Sequence, residues 1–133
     1  MIFGLGTDIA KVSRFEKWVK NPEMIARFFN PCEIVENSGS LEGGRRLAFL
    51  CEHYASRFAA KEAFAKALGT GFVGLELSDF GIVKNGQGKP SFFFGEKTLA
   101  LVEKICGKGC KVSLSISHEK EFAVSFVVIE CLD

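Results

Sequence analysis

The sequence of 133 residues lacks the features that mark membrane-spanning, secreted and nucleic-acid-binding proteins. No hydrophobic run approaches the length of a membrane span, so we expect no association with a membrane. The apolar start of the chain is short, contains an acidic residue and has no basic segment, which argues against a signal peptide. A net charge of +1 without a basic stripe disfavours binding to nucleic acid.

The cysteines show no zinc-binding pattern. There are five of them, which is an odd number, and Cys106 and Cys110 are separated by Gly-Lys-Gly rather than by a zinc-ribbon spacing. No second closely spaced pair exists. We therefore interpret all five as reduced thiols, and we expect a cytoplasmic protein.

Tyrosine and tryptophan are nearly absent, with one of each against 14 phenylalanines. Most of the aromatic mass therefore carries no polar group and is suited to the interior. With 47% hydrophobic residues, the chain can bury a substantial core. Its length predicts a single domain over residues 1–133.

The hydrophobic periodicity and the turn residues predict alternating strands and helices. Strands are expected at 1–9, 80–83, 91–94, 112–117 and 122–130. Helices are expected at 12–20, 24–29, 31–36, 43–68 and 96–106. Ser13 is expected to cap the first helix and Gly69 to end the long one, and 37–40 is expected to be a loop. Two hairpins and a long helix favour an α+β fold with a mainly antiparallel sheet packed against that helix.

The long helix carries four charges in an otherwise apolar, alanine-rich segment. Glu62 and Lys66 are four residues apart and share a helix face, while Arg57 and Lys61 form the adjacent row. A metal ion needs hard oxygen ligands and a polyphosphate needs cations, so this segment could bind both. An ordinary surface ion pair is the commoner explanation of the Glu62–Lys66 spacing when this helix is considered alone.

The N-terminal segment supplies a second acid. A short apolar run with glycines at 4 and 6 predicts a buried strand that presents Asp8 at its end. Asp8 and Glu62 could together ligate one Mg²⁺, which often takes one or two carboxylates and completes its octahedron with water and phosphate.

The segment from Lys11 to Phe28 contains five basic and two acidic residues. Such a locally basic helix suits an acidic protein partner or a phosphate-bearing ligand. A solvated helix face explains the same pattern when nothing else is considered.

Three motifs together resemble the holo-[acyl-carrier-protein] synthase family, the short type of 4′-phosphopantetheinyl transferase. They are Gly4-Leu-Gly-Thr-Asp-Ile9 followed by Arg14, the segment from Arg57 to Gly69, and Ser115-Ile-Ser-His118. With Gly88-Lys-Pro90, they extend over essentially the whole chain in the family's order and spacing.

The resemblance implies a 4′-phosphopantetheinyl transferase fold and transfer of 4′-phosphopantetheine from coenzyme A (CoA) to a serine of apo-acyl carrier protein. The by-product would be adenosine 3′,5′-bisphosphate. It implies catalytic roles for Asp8, Glu62 and Lys66, with Asp8 and Glu62 as ligands of Mg²⁺ or Mn²⁺. CoA contacts are implied for Arg57, Lys61, Lys66, Ser117 and His118. Carrier-protein contacts are implied for Arg14, Lys17 and Arg27.

The resemblance also implies a homotrimer with each site between two subunits, acting in fatty acid biosynthesis. Several alternatives stay open at this point. Lys61 could cover apolar surface, Arg57 could pair with Glu62, and His118 could be an ordinary turn residue. Glu119 stands where the family often has threonine. The chain could also serve a secondary-metabolism carrier, or be a non-catalytic module that binds CoA or an acidic protein.

Overall fold

The structure is a computed structural model that describes residues 1–36 and 44–132, and it has the expected α+β architecture. The strands are β1 (Ile2–Lys11), β2 (Phe80–Lys84), β3 (Pro90–Phe94), β4 (Lys111–His118) and β5 (Phe122–Glu130). The α-helices are α1 (Glu16–Val19), α2 (Pro22–Phe28), α3 (Arg45–Leu68) and α4 (Glu96–Cys106). Short 3-10 turns lie at Val12–Phe15, Pro31–Glu33 and Leu77–Asp79.

Strands β1, β5 and β4 form an antiparallel sheet in that order, and β2 and β3 form a separate hairpin. Helix α3 packs across the three-stranded sheet. Gly4 and Gly6 make this close approach possible, because a Cβ at either position would collide with the helix carbonyls of Ala67 and Ala63. The two N-terminal glycines therefore set the distance between β1 and α3.

Phenylalanines form much of the core, as the composition predicted. The ring of Phe64 on α3 lies 5.1–5.2 Å, between centroids, from the rings of Phe80, Phe92 and Phe94 on the hairpin. A second aromatic cluster joins α3 to the first two helices, where Trp18 stacks on Phe28 at 5.0 Å. The two clusters cover opposite ends of α3.

Most element boundaries agree with the sequence-based expectations. Gly69 ends α3 in the left-handed conformation at φ 84, as predicted. The first predicted helix is interrupted: a 3-10 turn precedes the one-turn α1, and Ser13 makes no capping hydrogen bond. Asn21 instead caps α2 by accepting a hydrogen bond from the Met24 amide at 3.2 Å. The loop predicted at 37–40 lies outside the described residues.

The sheet has one covered face and one apolar face that this chain leaves open. Even-numbered residues of β1 point towards α3, and odd-numbered ones point away from it. On the open face Leu5 is 67%, Ile9 61% and Phe126 52% exposed. In a single copy, β5 is therefore covered on one face only. No helix within the described ranges is long and apolar enough to cross a membrane.

Candidate active site

Strand β1 and helix α3 bring three predicted residues together. The Lys66 ammonium lies 3.0 Å from the Asp8 carboxylate and also donates to the Thr7 carbonyl at 3.0 Å. The Asp8 side chain is 11% exposed and that of Lys66 is 56% exposed. The Lys66 ammonium is thus held beside Asp8, while more than half of the side chain stays exposed. A ligand can therefore approach this charge from solvent.

Glu62 lies against the same acid. Burial raises the pKa of Glu62, and the charge of Asp8 and a side-chain hydrogen bond with it raise the pKa further. Arg14 and Lys66 act in the opposite direction. Two carboxylates this close repel each other, and a divalent cation between them would remove that repulsion.

The two carboxylates fit a Mg²⁺ site that has few protein ligands. Among the residues that the structure describes, no group of three or more His, Cys, Asp or Glu side chains is placed to hold a metal ion. Mg²⁺ commonly uses one or two carboxylates and takes its other ligands from water and substrate phosphate. Asp8 and Glu62 could therefore hold such an ion, with water and phosphate as its remaining ligands.

A cavity of about 200 Å³ lies beside Glu62 and Lys66 and is bounded by Phe72. Phe72 also borders a second cavity of about 510 Å³, which extends along Leu75–Ser78 to Arg27 and Phe28. The two cavities thus share one aromatic wall. The larger cavity places Arg27 on the far side of Phe72 from Glu62 and Lys66.

The predicted carrier-protein residues are all exposed and lie in or next to the first two helices. The Arg14 guanidinium lies 5.4–5.8 Å from the ring centroids of Phe15, Trp18 and Phe58. These contacts hold the cation close enough to lower the pKa of Glu62. Arg27 lies over Phe28 at 5.6 Å, and both Arg27 and Lys17 are exposed.

Arg57 and His118 lie in a different, polar cavity of about 180 Å³. Its other lining residues are Phe49, Glu52, His53, Ser56 and Lys84. The Arg57 guanidinium donates to Ser56 Oγ at 3.2 Å, whereas its buried Nε has no hydrogen-bond partner among the described residues. An unsatisfied buried donor beside Lys84 and His118 suits an anionic ligand.

The Arg57 cavity and the cavity beside Glu62 and Lys66 lie on opposite sides of α3. Arg57 and Glu62 are five residues apart, which corresponds to about 140° around a helix. Arg57 therefore does not pair with Glu62, and that alternative is wrong. Ser117 enters neither set of cavity-lining residues: it is exposed, and its strand neighbour His118 points to the opposite face of the sheet.

The prediction that Lys61 contacts CoA is wrong. Its side chain is 0% exposed, and its ammonium lies 2.7 Å from the Glu33 carboxylate, which is also 0% exposed. It further donates to the carbonyls of Leu77 and Phe80 at 2.6 and 2.7 Å. Every ammonium proton thus has a buried partner, so Lys61 is a structural residue with no donor left for a ligand.

Sequence reasoning missed Glu33, Phe72 and Lys84. Glu33 accepts hydrogen bonds from the amides of Asn30 and Ile82 at 3.0 and 3.2 Å in addition to its ion pair. The spacing of Asn30 and Glu33 is that of a capping box, which could have identified Glu33 as structural. Phe72 and Lys84 belong to no motif, and only the folded chain brings them to the cavities.

Comparison with known proteins gives a consistent result. Residues 4–127 match the 4′-phosphopantetheinyl transferase superfamily. A holo-[acyl-carrier-protein] synthase of Treponema denticola is 43% identical over 131 residues, which cover 98% of this chain and 99% of that relative.

Solved structures agree with the sequence comparison. A holo-ACP-synthase from Plasmodium yoelii superposes with a TM-score of 0.81 at 30% identity, covering 100% of this chain and 98% of that one. A holo-(acyl-carrier-protein) synthase from Bacillus anthracis, solved in complex with CoA (3′,5′-ADP), has a TM-score of 0.73 at 33% identity, covering 99% of both chains. The chain thus shares both sequence and fold with these proteins over nearly its whole length.

Proposed function

Because this chain belongs to the 4′-phosphopantetheinyl transferase superfamily, we propose that it transfers 4′-phosphopantetheine from CoA to a serine hydroxyl of apo-acyl carrier protein. Adenosine 3′,5′-bisphosphate would be the other product. The similarity to a structure solved with CoA supports CoA as the donor. The single observation that carries the assignment is the juxtaposition of Asp8, Glu62 and Lys66 beside an open cavity.

In this proposal Asp8 and Glu62 hold Mg²⁺, or Mn²⁺ in its place. Bound there, the ion supplies positive charge that neutralises the CoA pyrophosphate. Lys66 contributes a further cation to the same phosphates from its anchored position beside Asp8. Phosphoryl transfer depends on positioning and charge neutralisation more than on covalent catalysis, and the nucleophile arrives on the carrier protein.

We assign the other end of CoA to the cavity of Arg57, Lys84 and His118. Its two cations and its unsatisfied Arg57 Nε suit a phosphate group. Since this cavity faces away from the acidic pair, one CoA reaches both only when two copies of the chain lie side by side. The exposed apolar face containing Leu5, Ile9 and Phe126 provides a surface for that contact. We therefore propose a homotrimer with shared sites.

The carrier protein would dock on the surface formed by Arg14, Lys17 and Arg27. Carrier proteins are acidic, so three exposed cations suit this partner, and one of them, Arg14, is close enough to Glu62 to lower the pKa of that acid. A cytoplasmic role in fatty acid biosynthesis follows from this acceptor. Transfer to a secondary-metabolism carrier uses the same chemistry. A non-catalytic binding module does not explain why two carboxylates and a lysine converge at a cavity.

The test is incubation of the purified protein with CoA, Mg²⁺ and apo-acyl carrier protein, followed by the intact mass of the carrier. We expect a gain of one phosphopantetheine mass that EDTA abolishes and Asp8→Asn reduces by about 100-fold or more. Glu96→Gln is the matched control, because Glu96 is an exposed acid on α4 outside both cavities. Unchanged transfer by Asp8→Asn, or in EDTA, would refute the metal assignment. No transfer to any carrier would leave the binding-module alternative.

A further inference from the structure

Three of the five thiols meet at one corner of the core. Cys106 ends α4, Cys110 immediately precedes β4, and Cys131 immediately follows β5. The Cys131 thiol donates to the Cys106 carbonyl at 3.2 Å, and the Cys110 thiol donates to the Gly107 carbonyl at 2.8 Å. All five cysteines are free in the structure, and nothing in the proposed transfer reaction uses this corner.

The strand register places two of these cysteines opposite each other. Lys111 of β4 pairs with Glu130 of β5, so the next opposed positions along the antiparallel pair are Cys110 and Cys131. Opposed residues in antiparallel strands have Cα atoms about 4.5–5.5 Å apart, which lies within the range that a disulfide spans. The Cys110 thiol lies within hydrogen-bonding reach of both the Cys131 and the Cys106 thiols, so the strand register distinguishes Cys131 from Cys106 as its partner.

The two side chains share one face of the sheet. Along β4 and β5 the neighbours Val112 and Ile129 point towards the helices, and two-residue periodicity places Cys110 and Cys131 on that same face. They therefore lie away from the open apolar face proposed for subunit contact. Both are partly exposed, whereas Cys106 is 9% exposed, so an oxidant in solution has better access to the opposed pair.

We propose that Cys110 and Cys131 are a redox modification site, at which a low-molecular-weight disulfide such as oxidised glutathione forms a reversible cross-strand disulfide. One thiolate attacks a sulfur of the oxidant, which gives a mixed disulfide and releases one thiol. The second cysteine then displaces the remaining oxidant half. The protein loses two hydrogens and two electrons, and the oxidant is reduced to two thiols.

The environment sets the rate of this exchange. Burial raises the pKa of the Cys110 thiol, and it raises the pKa of Cys106 to about 11. Thiolate is the attacking form, so formation is slow near neutral pH and accelerates as the pH rises. Cys106 is also within reach of Cys110, but it is the least accessible of the three and has no opposed position in the strand pair, so we expect it to stay reduced.

The bond would close a loop that contains β4, the turn after His118 and β5. A disulfide restricts the unfolded chain, so the oxidised protein should melt several degrees higher than the reduced one at the same concentration. This readout is independent of transferase activity. A failure of the proposed function therefore leaves the inference intact, and the reverse also holds.

The experiment treats the intact protein with increasing oxidised glutathione at pH 7 and pH 9, then alkylates the remaining thiols and maps the peptides. We expect alkylated thiols to fall from five to three and the mass before alkylation to drop by two hydrogens. The linked peptides should contain Cys110 and Cys131, and dithiothreitol should reverse the change. Cys110→Ser and Cys131→Ala should each prevent it, whereas Cys106→Ser and the exposed-thiol control Cys32→Ser should not.

Three results would overturn the proposal. One is a linkage that involves Cys106, and another is persistence of mixed glutathione adducts without an internal bond. The third is retention of five alkylatable thiols after the oxidant has fully oxidised a reference dithiol peptide under the same conditions.

Discussion

The placement of Glu62 and Arg57 on opposite sides of α3 predicts that two differently inactivated chains restore each other. Asp8→Asn removes the acidic half of the site and leaves the Arg57 cavity intact. Arg57→Ala does the reverse. If each site takes one half from each of two neighbouring copies, a mixed oligomer contains some sites with both halves intact.

The expected recovery follows from counting. In a random 1:1 mixture, the acidic half at a given site comes from an Arg57→Ala chain in about half of the cases. The neighbouring cavity comes from an Asp8→Asn chain in about half of the cases as well. About one quarter of the sites are then complete, whatever the number of subunits in the ring. The unselected mixture should therefore show roughly one quarter of the unmodified activity, while each parent shows almost none. Selection of trimers that contain both variants should raise this to about one third, because each mixed ring has one complete site out of three.

The assay co-expresses the two variants with different affinity tags, purifies the doubly tagged species and measures mass transfer to apo-acyl carrier protein. The matched control mixes Asp8→Asn with Glu62→Gln, which damage the same half and should give no recovery. If doubly tagged oligomers form and the Asp8→Asn/Arg57→Ala mixture stays as inactive as its parents, the shared site is refuted. Recovery in the control mixture would refute the assignment of both acids to one half.

Three further measurements test individual side chains. Lys61→Met should destabilise the protein by about 3–5 kcal/mol, because it leaves the buried Glu33 carboxylate without a partner. Adding Glu33→Gln should recover most of that loss. A large rise in KM for CoA at unchanged melting temperature would contradict this. Burial lowers the pKa of His53 to about 4 from 6.5, so the unfolded chain takes up its proton first as the pH falls. Stability should thus drop by up to about 2 kcal/mol between pH 7 and pH 5, and His53→Gln should remove that share of the thermal-shift pH dependence. Arg14→Glu should raise KM for the carrier protein about tenfold while changing KM for CoA little, and equal effects would place Arg14 in the CoA site instead.

The helix and strand order could be predicted because local signals specify it. Gly69 appears where a helix end requires a left-handed residue, and the alternation in β4 is regular enough to fix its inner face. The acidic pair was also predictable, because the first strand and the long helix each presented a carboxylate, although β1 continues past Asp8 to Lys11. The exposed face of β5 was not, since an apolar residue facing solvent and one facing a second copy look the same in sequence.

The errors at the site have one physical origin. Arg57 and Lys61 lie one helical turn apart and looked equivalent in sequence, yet one lines a cavity and the other is fully buried. The difference lies in what packs over Lys61. The 3-10 turn that carries Glu33 and the backbone carbonyls of Leu77 and Phe80 cover it, and these groups are far from Lys61 in sequence. Helical spacing identifies residues that share a row, but it does not indicate what packs over each of them.

The buried pair also explains how the acidic pair keeps its geometry. Gly4 and Gly6 fix the distance between β1 and α3 through the Ala67 and Ala63 carbonyls, and two aromatic clusters hold α3 against its neighbours. The buried pair adds a further constraint on rotation of the helix about its own axis. A rotation by one residue, about 100°, would carry Glu62 away from Asp8. The same rotation would pull the Lys61 ammonium from Glu33 and from both carbonyls. Because Lys61 immediately precedes Glu62, the cost of breaking a buried ion pair opposes any turn of the helix that would separate the two acids.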